Sequence, residues 1–361
     1  MKIIFLGLNG RGGTLHYASH ISSHMTKYMK TCLFLPSYSK TDLISKKVKL
    51  IKTLAPPSAL KTIFLTLNFF QHKKNIAAIN NENADIINVI DIHPWHVIYW
   101  KHLKAKRKIV TINDPELHSG ESGPIMSFII KRITKFLMKN ADEIIVLGKK
   151  QEGTIRKLGY KQKVIVSRIG NYGFFGNQKR KNLETEPKTI LFFGRIKAYK
   201  GLKYLLDALI KIKSKGTKFK LIIAGEGDLS SYKNQIQKLN GNLEIHQGYI
   251  PDKKVSEYFD RASFVVMPYT DATQTGVIQV TYSFSKPVIA TNVGSLPELV
   301  KNGETGFIVK PKSSKELKEK IEILLKDPIK TKKMGEQAYK FMQKELNWDS
   351  IAKKLYLDLK N

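Results

Sequence analysis

Cysteine is almost absent. Cys32 stands alone in 361 residues, which excludes an intrachain disulfide and a cysteine-based zinc site. Acidic side chains are scarce, 30 Asp and Glu against 62 Lys and Arg, for a formal charge of +32. No stretch approaches ~18 uncharged apolar residues, so no transmembrane helix is expected. The opening run Lys2–Leu6 turns into glycines too early for a secretory signal. A P-loop is excluded because no Gly-Lys-Ser/Thr follows those glycines, and Gly7-x-x-Gly10-x-Gly12-Gly13 lacks the dinucleotide spacing. There is no low-complexity segment. These absences leave a soluble, cytoplasmic protein as the expectation.

What is present is a globular composition, 42% apolar and 25% charged, in a chain long enough for two domains. The basic excess is spread along it: residues 1–186 hold 31 basic and 12 acidic side chains, and residues 187–361 hold 31 and 18. The whole molecule is therefore cationic, and its partners are expected to be anionic. Nucleic acid is disfavoured, because no recognition motif accompanies the charge and the basic residues are not interleaved with stacking aromatics.

Short aliphatic runs alternate with longer amphipathic stretches, the pattern of βα units around parallel sheets. Strands are expected at Lys2–Leu6, Thr31–Leu35, Ile86–Ile90, Lys108–Ile112, Glu143–Leu147 and Lys163–Val166. A second set falls at Thr189–Phe193, Phe219–Ala224, Leu243–Gln247, Ser263–Met267, Pro287–Ala290 and Phe307–Val309. A stretch of glycine, asparagine and charge at about 171–188 separates the sets. Two Rossmann-like domains are expected, facing across a cleft where strand C-termini meet.

Glycines follow the first strand of each set. Gly12 and Gly13 would let a phosphate approach a helix N-terminus. In the second set, Gly194-Arg195 and Lys200-Gly201 place a planar fork and a point charge at a strand C-terminus, a pair suited to a diphosphate. Thr275-Gly276-Val277 opens a further helix with free backbone N–H groups and threonine hydroxyls nearby.

The string Gly194-Arg195-x-x-x-x-Lys200-Gly201, Ala224-Gly225-Glu226-Gly227, Gly276, Lys286-Pro287-Val288-Ile289-Ala290-Thr291, Pro297-Glu298 and Asn302-Gly303-Glu304-Thr305-Gly306 resembles the C-terminal half of retaining group 1 (family 4) glycosyltransferases. The likeness spans roughly 188–325. The first half is more loosely similar, through Gly12-Gly13 and the segment Asp114 to His118. This resemblance implies an α/β GT-B fold, with an acceptor domain at 1–170, a nucleotide-sugar domain at 188–340 and a helix at 341–361 crossing back. It implies transfer of a hexosyl unit, with retention, to a saccharide or lipid-linked saccharide in envelope polysaccharide or glycolipid synthesis, without cofactor or metal. Arg195 and Lys200 would grip the diphosphate and His118, or alternatively His93, would face sugar or acceptor. Gly12, Gly13, Gly194, Glu226, Ile250, Thr275, Gly276, Val277 and Thr281 would line the donor.

The chain also departs from that pattern. Many such enzymes carry two glutamates flanking the diphosphate glycine, and their places are held by Thr273 and Thr281; Asn113 stands where many have a histidine. A non-catalytic relative that binds a nucleotide sugar or glycan is therefore the alternative, whereas a sugar-nucleotide 2-epimerase is disfavoured, its carboxylates and histidines not being evident. Finally, Leu60–Lys74 and Ile125–Lys139 are greasy and basic together. They read either as helices on a sheet with solvated lysines or as a surface for an anionic membrane, on the inner face of the plasma membrane.

Overall fold

The computed structural model describes every residue except 57, 58, 116–122, 174, 176–183 and 273, and no side chain at 59–61 or 63. It divides into two compact units. One comprises Met1–Leu117, Ser122–Gly170 and Trp348–Asn361; Asn171–Asn347 lie in the other.

The first unit holds a parallel seven-stranded sheet of β1 (Lys2–Leu6), β2 (Lys30–Pro36), β3 (Lys49–Thr53), β4 (Ile86–Val89), β5 (Arg107–Ile112), β6 (Glu143–Val146) and β7 (Lys163–Val166), ordered β3-β2-β1-β4-β5-β6-β7. Its central strands are mostly apolar because helices cover both faces. Ile4, Leu6, Ile87 and Val89 pack under the helices Pro94–Trp100 and Pro124–Asn140. Ile3, Phe5, Ile86 and Ile90 pack under Gly12–Met25 and the last helix, Trp348–Lys360. β3 was not among the expected strands. It is an edge strand in which Lys49 and Lys52 bracket only two apolar residues, Leu50 and Ile51, so it never forms the greasy run that marks a buried strand.

The second unit repeats the plan with six parallel strands: β8 (Thr189–Phe193), β9 (Lys220–Gly225), β10 (Leu243–Gln247), β11 (Phe264–Met267), β12 (Val288–Thr291) and β13 (Gly306–Val309), ordered β10-β9-β8-β11-β12-β13. Helices Leu202–Lys213 and Ser314–Lys326 bury one face together with Ile190, Phe192, Ile223 and Val266.

The chain leaves the second unit at Asn347. Helix Pro328–Glu345 starts from the Asp327 cap, which accepts the Lys330 N–H at 2.8 Å, and its Gly335 lies against the Ser285 carbonyl. Only after Asn347 does Trp348 enter the first unit, where its ring stacks on His20 at 5.2 Å.

Candidate active site

In each sheet the strand order reverses beside the central strand, between β1 and β4 and between β8 and β11. Loops leaving the two neighbouring strands there part in opposite directions, and the gap at their C-terminal ends is where open α/β sheets bind ligands.

The reversal in the second unit brings Arg195 and Lys200 together. Past Phe193 the chain turns through Gly194, with φ of 109°, and the Ile196 N–H is tied to the Glu226 carbonyl at 2.6 Å. A single turn, Ala198–Lys200, leads to Gly201, whose φ is 69°. A β-carbon at Gly201 would run into the Pro268 carbonyl, so only glycine lets this loop lie on the end of β11. The Thr270 N–H donates to the Tyr199 carbonyl at 2.7 Å and completes the clamp. Arg195 reaches the Tyr199 hydroxyl at 3.4 Å. The Lys200 ammonium lies 3.7 Å from the centre of the Tyr269 ring. Burial pushes the Tyr269 phenol well up, so the ring stays neutral and offers its face to the cation. Arg195 itself is exposed and Lys200 half-buried, which leaves both cations in reach of a solute.

Other expected donor residues are placed less openly. Thr275 is buried, and its hydroxyl accepts the Val277 N–H at 3.2 Å, so that amide already has a partner. Gly276 precedes the short helix Val277–Ser283 and presses on Tyr172, whose ring would lie 2.9 Å from an added β-carbon. Thr281 is fully buried and donates to the Val277 carbonyl at 2.7 Å, an i−4 bond that turns its hydroxyl inward. Glu226 is exposed and Ile250 half-buried on the loops that follow β9 and β10. Thr273 and His118 lie outside the described residues.

Two further parts of the string hold the fold together. Thr305 accepts the Lys301 N–H at 2.9 Å and meets Tyr282, while Asn302 accepts from Ile308 at 3.0 Å. Lys286 donates to Thr185 at 2.6 Å and to the Asp260 carbonyl at 3.1 Å, in the wall of a cavity of about 680 Å³ at the opposite, N-terminal edge of the sheet.

In the first unit, Gly12 and Gly13 are exposed, with nothing within 4 Å of where their β-carbons would be. Arg11 gives the helix Gly12–Met25 no side-chain cap, and its first turn has no acidic residue, so this N-terminus is open to an anion. The loop before it hangs on Asp91. One Asp91 oxygen accepts the Leu8 and Asn9 N–H groups at 2.8 and 2.6 Å; the other meets His96 Nε2 at 2.6 Å. His93 is buried, and its Nδ1 accepts the Trp95 N–H at 3.2 Å, capping the helix Pro94–Trp100. Burial first, then the neighbouring His96, pushes its pKa down to about 4. Asp91 and His96 escaped the sequence reading, although Asp91-x-His93-x-x-His96 at the end of β4 was there to be seen. Among the described residues no group of three or more His, Cys, Asp or Glu could hold a metal ion.

Comparison with known proteins agrees with this geometry. The family model "Glycosyl transferases group 1" matches residues 175–341, which include Gly194, Arg195, Lys200 and Gly276. The C-terminal unit is a group 1 glycosyltransferase domain. Along its whole length the chain is similar to an uncharacterized glycosyltransferase of Methanocaldococcus jannaschii, 26% identical over 356 residues, 96% of this chain and 95% of that one. Sucrose-phosphate synthase from Thermosynechococcus elongatus superposes with a TM-score of 0.78 at 20% identity, covering 100% and 99% of the two chains. Anabaena HepE in complex with UDP-glucose gives 0.75 at 18%, again over 100% and 99%. The chain thus has the two Rossmann-like domains of the GT-B fold. The paired cations stand at the reversal of the unit that carries the family match.

Proposed function

We propose that the protein moves a hexosyl unit from a nucleotide-sugar donor to a saccharide or lipid-linked saccharide, with retention of anomeric configuration, as a family 4 enzyme of envelope polysaccharide or glycolipid synthesis. The reading is carried by Arg195 and Lys200, gathered over Tyr199 and Tyr269 at the reversal beside β8 in a group 1 domain. That HepE is seen with UDP-glucose supports a nucleotide-sugar donor.

In this reading the bond between anomeric carbon and diphosphate oxygen breaks while the acceptor hydroxyl attacks from the same face. The departing phosphate oxygen takes the proton of that hydroxyl. Negative charge grows on the leaving diphosphate, and two fixed cations lower the barrier most because they stabilise charge that exists only late in the reaction. Gly194, Glu226 and Ile250 would flank the donor in the second unit. In the first unit, the open helix end at Gly12 and Gly13 would offer its backbone N–H groups to an anion.

No metal is needed for this chemistry. Transfer should persist in EDTA, and complete loss restored by Mn²⁺ or Mg²⁺ would overturn that part. The inward hydroxyl of Thr281 favours one second reading, a relative that binds donor without transferring it. Thermal shift against UDP-, GDP- and ADP-sugars, followed by product analysis with saccharide and lipid-linked acceptors, separates the two. A donor that stabilises the protein but is never consumed would leave only the binding role.

A further inference from the structure

The first unit carries apolar side chains that its own core does not use. In the segment spanning helix Ala59–Thr66 and the start of Phe69–Asn80, Leu65 faces the core, while Phe64, Phe69 and Phe70 stand 77%, 72% and 88% exposed. In the helix Pro124–Asn140, Ile133, Leu137 and Met138 bury themselves against the sheet. The first turns of that helix do not: Ile125 and Phe128 are 78% and 58% exposed, and Ile129 is exposed too.

Both segments belong to one helical layer. Leu65, Trp95 and Ile133 share the same core cluster on the same face of the sheet. Between them lies the helix Pro94–Trp100, whose Trp95 indole donates to Thr66 at 2.9 Å and which packs against Pro124–Asn140. The apolar tips are interleaved with cations. Lys73 and Lys74 follow Phe70, and Lys131, Arg132 and Lys135 follow Ile129, all of them exposed. Arg132 lies over the Phe128 ring at 5.1 Å. No Asp or Glu occurs between Ala59 and Asn81, or between Gly123 and Ala141.

We infer that this layer is a docking face for an anionic lipid bilayer, with the aromatic and aliphatic tips entering the headgroup boundary and the lysines and arginine lying on the phosphates. Charge complementarity selects the occupant. A second copy of a chain with net charge +32 would be repelled. Phe64, Phe69, Phe70, Ile125 and Phe128 are each more than half exposed, which suits a soft apolar medium better than a folded acidic partner. Because no helix among the described residues is long and apolar enough to cross a membrane, this contact is one on the surface.

The experiment is co-sedimentation of the full chain with vesicles of phosphatidylcholine alone or with phosphatidylglycerol added, at low salt and at ~0.5 M salt. Wild type should bind the phosphatidylglycerol vesicles and be released by salt. The triple change Lys131→Glu, Arg132→Glu, Lys135→Glu should weaken binding at least about a hundredfold, since each basic side chain near the surface contributes roughly fivefold. Phe69→Ser with Phe70→Ser should weaken it about tenfold or more while leaving the salt dependence in place. Both variants alter exposed side chains, and unchanged circular dichroism would show them folded. Equal binding to neutral and anionic vesicles, no binding to either, or wild-type binding by both variants would overturn the proposal. Failure to bind vesicles together with retention on immobilised polyglutamate would overturn it in favour of an acidic protein partner. None of these outcomes depends on donor binding.

Discussion

His96 Nε2 meets Asp91 Oδ1 at 2.6 Å in the interior of the first unit, and the other oxygen of that carboxylate holds the N–H groups of Leu8 and Asn9. One buried hydrogen-bonded pair between the end of β4 and the next helix therefore fixes the glycine loop that leaves β1. Burial raises the carboxyl pKa, but His96, the Asn9 amide and His93 together lower it by more, and the net effect keeps Asp91 ionised.

Removing one partner of such a pair strands the other. Asp91→Ala should destabilise the first unit by ~3–5 kcal/mol. All three tryptophans, Trp95, Trp100 and Trp348, lie in that unit, so tryptophan fluorescence during urea unfolding reads this loss directly. Because the folded carboxyl is the stronger acid, its contribution is full above the ordinary carboxylate range and fades as pH falls through the folded value. Asp91→Asn should thus narrow the gap between wild-type stability at neutral and at acid pH. An unchanged urea midpoint in Asp91→Ala would show the pair to be dispensable.

His93 gives the same sign of proton linkage in a milder pH range. Its folded pKa is about 4, below the roughly 6.5 of an unfolded histidine, so the folded state prefers the neutral ring. Its stabilising effect is complete above pH ~6.5 and is lost as pH falls toward 4. Between pH 7 and 5 the loss should be about 2 kcal/mol. Neutral Nδ1 is also what accepts the Trp95 N–H. His93→Gln should flatten the dependence of the tryptophan-monitored midpoint over this interval; an identical slope in the variant would refute the assignment.

Arg195→Ala and Lys200→Ala should each lower transfer by roughly two to three orders of magnitude, equivalent to ~2–4 kcal/mol of leaving-group stabilisation. Neither side chain supports the core, so the melting temperature without ligand should stay close to wild type. Turnover near wild type in both would remove them from the donor site.

Gly201→Ala tests the clamp under Lys200. The new methyl would meet the Pro268 carbonyl, and φ of 69° is itself strained for alanine. The loop must shift, costing about 1–3 kcal/mol and moving the ammonium off the Tyr269 ring. Thermal unfolding should show the destabilisation, and donor-induced stabilisation should shrink in parallel. Normal donor response in a destabilised variant would separate the glycine from the site.

Much of the architecture was legible before any coordinates. Parallel strands buried on both faces must be apolar throughout, so runs such as Ile3–Leu6 and Leu221–Ala224 announce themselves, and glycine loops mark their ends. Arg195 and Lys200 were legible too, because their spacing after a strand, Gly194-Arg195 to Lys200-Gly201, is a local property. What tertiary structure alone decided is long-range. Asp91 and His96 look like ordinary loop and helix residues until β4 is seated beside β1, which brings the carboxylate under amides more than eighty positions earlier. Thr281 reads as a polar side chain open to a ligand until the short helix turns it into the core. Phe70 and Ile125 read equally as core or as surface until the sheet is covered by other residues and leaves them outside. Sequence sets which side chains are apolar and how they repeat. Which of them find room inside depends on how many elements compete for one sheet face, and only the packed structure answers that.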